Sequence, residues 1–426
     1  MNRYDRPTRL VADLPDILTE IASPRVPDYA NDLLAQTAAT RQRPRWSFIE
    51  RWLPMNVLAK PTVPFRPVPW RAILIAAGLL VILTAGWLIA GSMQRVPEPF
   101  GLAANGALVY VSDGDIMARD TLTGESRVLV AGPGDDFAAG YTRDGRHVMF
   151  LRRTAGEAGT PSERLQLFLA DADGSDAHAL TTDLVAPDWF DLAPDDRTAV
   201  VHTGPAAHER LELVDLTTVA ASRPIDLGRP LAATFPNFLA PTGEDVVFRG
   251  NEGGKTGIYA VHTDGTGLRA LTRTDGKGDE FQFPQPSPDG RYLTYTSWDP
   301  VAQQLQVHLL DLAGGTDVVL DPAVGWHEGY ATFSPDGGRL LLSGYQDSQH
   351  EILVAPLDGS APALRMGRVY PGDHDVVGIF SPDGRWLVVQ DNTAREARLV
   401  DASTGGLGEV LDWAGEGVTG WQRLAP

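Results

Sequence analysis

Seven residues of this chain carry carboxylates or imidazoles at a repeating place: Asp136, Glu280, His327, Glu328, His374, Asp375 and Glu416. Asp136, Glu328 and Asp375 each lie six residues ahead of a recurring four-residue corner, and Glu416 precedes the last strand-like run of the chain. Carboxylates brought onto one rim suit Ca²⁺ through oxygen ligands, two imidazoles suit a transition metal, and the rim as a whole suits a cationic ligand. The plainer reading is that these residues cap strand ends. Trp189, Phe190, Phe235, Phe281 and Trp326 fall near the same positions and would either form a binding platform or pack inside the fold.

The corner supplies the ruler. It reads Ser287-Pro288-Asp289-Gly290, Ser334-Pro335-Asp336-Gly337 and Ser381-Pro382-Asp383-Gly384, with degraded copies at Ala240-Pro241-Thr242-Gly243, Ala193-Pro194-Asp195-Asp196 and Thr142-Arg143-Asp144-Gly145. Its prolines fall at 194, 241, 288, 335 and 382, a period of 47. Proline presets φ at the first central position of a turn, Asp bonds its own backbone, and Gly accepts positive φ. Around each corner the chain alternates short apolar runs with Gly, Asp, Pro and Ser clusters, which is the pattern of strands. A period in this range built from four short strands predicts propeller blades.

The third-and-fourth strand pair recurs seven times, whereas the corner recurs six times. The first unit lacks a first strand, and the chain ends on an unclaimed one, Gly417-Val418-Thr419-Gly420-Trp421. A ring closed by its two ends accounts for both, because closure removes the exposed sheet edges. The expected fold is therefore an all-β, seven-bladed β-propeller over residues 104–426, closed by its C-terminal strand. A six-bladed ring with loose ends is the alternative.

Phe380-Ser381-Pro382-Asp383-Gly384-Arg385 and Leu169-Ala170-Asp171-Ala172-Asp173-Gly174 carry a resemblance. The pattern is similar to the TolB-like and WD-repeat-like propellers of bacterial envelopes. The resemblance implies architecture; this fold hosts binding, scaffold and enzymatic roles alike.

Ahead of the propeller, Ala72 to Ala90 is free of charge and the uncharged stretch continues to Gln94. That is long enough to cross a bilayer core, so residues 72–94 read as one transmembrane helix and 95–103 as a linker. Arg66 and Arg71 precede it and Arg95 follows; residues 1–71 hold 11 basic and 7 acidic residues. The positive-inside rule puts the N-terminus in the cytoplasm and the propeller outside. Residues 96–426 hold 24 basic and 48 acidic residues, a field that disfavours nucleic acid as a partner. With no cysteine, disulfides and thiolate chemistry are excluded.

Residues 1–71 read as a small helical head. Leu10, Leu14, Ile17, Leu18 and Ile21 recur at helical spacing, a second stretch runs from Asp28 to Thr40, and Pro61, Pro64, Pro67 and Pro69 stiffen the approach to the membrane. A segment with so little core folds best against a partner. The stretches Pro27-Asp28-Tyr29 through Arg41-Gln42-Arg43-Pro44 and Glu50-Arg51-Trp52-Leu53-Pro54-Met55 are similar to the heads of membrane-bound anti-sigma-factor-type proteins. The resemblance implies a cytoplasmic sigma factor as partner, with Arg41, Arg43, Trp46 and Trp52 as its contacts. The His/Cys zinc motif of many such heads is absent.

No Gly-x-Ser-x-Gly elbow is present, and the chain is expected not to be an enzyme. It is expected to need no cofactor beyond Ca²⁺ at the rim. The expected function is a membrane-anchored sensor or binding module that meets an extracytoplasmic ligand or envelope protein and signals to the cytoplasm. An envelope scaffold with an inert anchor is the alternative.

Overall fold

A computed structural model describes residues 97–425, apart from 161, 186–188, 206–207, 219–221, 273–280, 321–325, 372–373 and 415–416 and the side chains of 281 and 328. The expected head, the expected membrane span and the contacts Arg41, Arg43, Trp46 and Trp52 lie outside the described residues, as do Glu280 and Glu416. Among the described residues no helix is long and apolar enough to cross a membrane.

Seven antiparallel sheets of four or five strands are present. In blades 2 to 7 the innermost strand comes first in sequence: Asp136–Tyr141, Phe190–Leu192, Ala232–Phe238, Phe281–Pro286, Glu328–Phe333 and Val376–Phe380. Blade 1 differs. Its inner strand is the C-terminal Gly417–Leu424, which pairs with Ala104–Ser112 through Ala104 opposite Leu424, Leu108 opposite Trp421 and Val111 opposite Gly417. The ring thus has seven blades, closed by the last strand as expected.

The corner explains how blades join as well as how strands turn. In Ser287–Gly290 the Asp289 carboxylate accepts from the Ser287 hydroxyl at 2.6 Å and from the Arg291 N–H at 3.0 Å. The Ser287 oxygen in turn accepts the Tyr292 N–H at 2.8 Å. Gly290 sits at φ +70°, and a Cβ there would lie 1.7 Å from the Ala240 carbonyl oxygen of the preceding blade's corner. Positive φ and close approach both require glycine at this point. The corners are therefore in contact, blade to blade.

Seven apolar clusters hold the ring, one in each seam between blades. Between blades 4 and 5, for example, Val247, Ile258 and Ala260 meet Leu293, Tyr295 and Leu310. Each such side chain contributes about 1.5–3 kcal/mol when fully buried. No blade can bury its two faces alone, so the ring stands or falls as a unit.

Candidate functional site

The inner strands line an axial channel, and three of them carry a positive-φ residue inside a register slip. Register slips by one or more residues between Phe137 and Gly140, Thr234 and Asn237, and Gln282 and Gln285. Ala138, Phe235 and Phe283 sit inside those slips with φ of 52°, 52° and 50°. Positive φ is rare for a bulky aromatic, and a β-bulge re-aims the residue it contains. The Phe235 and Phe283 rings lie 4.8 Å apart, with Trp189 edge-on to Phe235 at 6.0 Å. Neighbouring blades stitch the bulges down. The Trp189 indole N–H donates to Pro236 O at 3.1 Å and the Asn237 amide donates to Pro284 O at 2.8 Å.

Beside this row a cleft of about 500 Å³ opens across blades 5, 6 and 7. Its walls are the half-buried Phe283, Trp298 and Tyr330 with Gln282; His327 and Asp375 stand exposed at its mouth. Its floor contains Ser343, which is 1 % exposed. The Ser343 hydroxyl lies 2.9 Å from His350 Nε2 and 2.9 Å from the Val376 carbonyl oxygen, while His350 Nδ1 lies 3.2 Å from the His374 carbonyl oxygen. The proton count couples these contacts. A neutral His350 that donates from Nδ1 receives the Ser343 proton at Nε2, whereas the tautomer protonated at Nε2 leaves Ser343 to donate to Val376 and gives up the His374 bond; only a doubly protonated ring makes all three contacts at once.

The expected rim is only partly assembled. His327 and Asp375 share the cleft. His374 is adjacent, yet its Nδ1 faces Asp391 at 2.6 Å. Asp375 accepts the Asn392 side-chain amide at 2.7 Å. Asp136 is not open to a ligand: both its oxygens take the Arg152 fork at 2.6 Å, and its side chain is fully buried. Burial pushes the Asp136 carboxyl up, with the Arg152 hydrogen bond and charge opposing. Glu328 begins the inner strand of blade 6. Among the described residues no three His, Asp or Glu side chains are grouped to hold a metal.

The aromatic expectation also divides. Trp326 is core: it is 3 % exposed, and its ring fills the space over Gly344. Phe190 packs on the seam of blades 2 and 3. Trp189 and Phe235 do form a row, completed by Phe283. Sequence reasoning missed Phe283, Trp298, Tyr330, Ser343 and His350. One signal was available, since Phe235-Pro236 and Phe283-Pro284 repeat the same dipeptide shortly before two corners.

A second constellation also escaped the sequence. Ser297 Oγ lies 2.9 Å from His308 Nε2, and His308 Nδ1 lies 3.1 Å from Asp317, across three adjacent strands. Tyr295 stacks on His308 at 4.5 Å and donates its hydroxyl to Asp317. Burial acts to raise the Asp317 pKa, but the bonds from His308 and Tyr295 outweigh it and hold the carboxyl below its ordinary value. The order of groups is that of an acyl-transfer triad. Ser297 is however 6 % exposed, and Asp317 is shared with Tyr295, so the chain of bonds fastens the outer strand of blade 5.

No protein-family model matches this chain, and no curated protein matches it. Solved structures do. An oligogalacturonate lyase in complex with manganese is 16 % identical over 72 % of this chain and 92 % of its own, with a TM-score of 0.53. A prolyl endopeptidase is 14 % identical over 74 % of this chain and 50 % of its own, also with a TM-score of 0.53. TolB from Acinetobacter baumannii is 17 % identical over 76 % and 81 %, with a TM-score of 0.46. At these identities the likeness is one of fold, a β-propeller, and it carries no substrate across. It does correct one expectation. The chain was expected not to be an enzyme, yet the same framework occurs in a lyase and in an endopeptidase, so a propeller without a Gly-x-Ser-x-Gly elbow gives no ground for excluding catalysis.

Proposed function

We propose that the propeller is a recognition module that takes a segment of a partner protein into the cleft between blades 5, 6 and 7. The observation that carries this reading is the cleft's composition: Phe283, Trp298 and Tyr330 as apolar walls, with Gln282, His327 and Asp375 at their edges. Aromatic residues in a partly enclosed pocket supply most of the energy in protein recognition, and polar groups at the rim set orientation. The acidic balance of the domain favours a segment rich in Lys and Arg.

On this reading the propeller faces the outside of the cell on a single helix over residues 72–94, and the head over residues 1–71 reports to the cytoplasm. A sigma factor is the partner proposed for the head, through Arg41, Arg43, Trp46 and Trp52. Two experiments on the full-length chain test the two halves. Affinity capture from membranes should recover one partner that is lost with Trp298→Ala and kept with Leu122→Ala, a change at a residue that is 93 % exposed. Recovery of the same partner from both variants would overturn the cleft as its site. Co-purification should recover a sigma factor that is lost with Arg41→Ala and Trp46→Ala; its absence from the wild type leaves the propeller as an anchored scaffold.

A further inference from the structure

The opposite end of the channel holds a different chemistry. A cavity of about 570 Å³ lies inside the ring of corners and is lined by residues from all seven blades, among them Arg143, Asp191, Asn237 and Arg423. Residues 97–103 run over it as a strap. The Gly101 N–H donates to Pro335 O and the Ala103 N–H to Pro382 O, each at 3.0 Å. The Phe100 ring lies 4.8 Å from the Arg143 guanidinium.

The two arginines are not equally satisfied. Arg143 pairs with Asp191 at 3.1 Å and also donates to Leu192 O at 2.9 Å. Arg423 makes no ion pair among the described residues. Its Nη2 donates to two strap carbonyls, Glu98 O at 2.9 Å and Gly101 O at 3.0 Å. Its Nε is buried without an acceptor. Asp196 acts on it only through space, while burial and the Arg143 charge hold its pKa below the ordinary value. A partly buried guanidinium met only by neutral carbonyls is under-compensated.

We propose that this cavity is a binding site for a small organic carboxylate, anchored on Arg423 with Arg143 as the second donor. Both strap carbonyls take Arg423 Nη2, and a carboxylate set across Nη2 and the unfilled Nε would match the guanidinium fork in their place. Ligand and strap therefore compete. Because the strap joins residues 1–96 to the propeller, filling the site frees that junction. The site is separate from the cleft of blades 5–7 and does not depend on it.

Isothermal titration of the full-length protein in detergent, with succinate and with inorganic phosphate, tests this. Succinate should bind. Arg423→Lys, which keeps the charge and loses the fork, should weaken binding by about tenfold or more, as should Arg423→Gln where that variant retains the circular dichroism of the wild type. Phe100→Ala, which loosens the strap, should strengthen it several-fold. Silence toward succinate in both the wild type and Phe100→Ala overturns the site. Equal binding by Arg423→Lys overturns the anchor, and binding of phosphate alone overturns the carboxylate assignment.

Discussion

At the corner end of the channel, the walls are made by the repeat itself. Ser-Pro-Asp-Gly turns sit side by side, and Gly290 is held against Ala240 of the preceding corner. At the loop end the repeat sets only where strands begin. What faces the cleft there is decided blade by blade: a bulged Phe283, an exposed His327, a Ser343 tied to His350. Repetition builds the frame at one end, and departures from it build the recognition cleft at the other. The same division separates changes that should cost stability from changes that should cost binding.

The largest effects belong to the frame. Gly290→Ala puts a side chain at φ +70° and against a backbone oxygen; a loss of about 3 kcal/mol is expected, read as a lowered denaturation midpoint. Asp136→Asn removes one partner of a buried fork and leaves Arg152 16 % exposed without its anion, with a comparable cost of about 3 kcal/mol. If either variant unfolds like the wild type, the seams alone hold the ring and the frame has been given too much weight.

Within the cleft, Trp298→Ala should cost about 2 kcal/mol of partner affinity while its effect on the midpoint stays smaller than that of Gly290→Ala. The bonded chain behind it offers a pH test. Asp317 is held below its ordinary 3.8, so its contribution is complete above the unfolded value and is lost as pH falls through the lower folded one. Hydrogen exchange in Asp317–Val319 should therefore quicken below about pH 4, ahead of Arg269–Ala270 in blade 4. Equal quickening of the two outer strands would count against the Ser297–His308–Asp317 chain. Leu122→Ala, at a residue that is 93 % exposed, should change stability by no more than about 0.5 kcal/mol.

How much the sequence revealed follows the same line. The period, the closing strand at Gly417–Leu424 and the seventh blade were legible because turn chemistry is local and strand counts add up. The cleft was not. Phe283 reaches it only because pairing slips between Gln282 and Gln285, a property of two strands rather than of either. Asp136 looked like a rim ligand until its partner appeared, and Arg152 stands 16 residues away on the adjoining strand. His374 lies next to the cleft residue Asp375, but its ring is turned by Asp391, seventeen residues on. Spacing locates residues on a face; the directions of their side chains come from cross-strand neighbours.

The account rests most heavily on the loop-end cleft as the place of recognition. The direct measurement is the affinity of the captured partner for full-length wild type and Trp298→Ala, with the denaturation midpoint of each taken alongside. A fall of about tenfold or more in affinity with little change in midpoint is predicted. Unchanged affinity in a folded Trp298→Ala protein would contradict it.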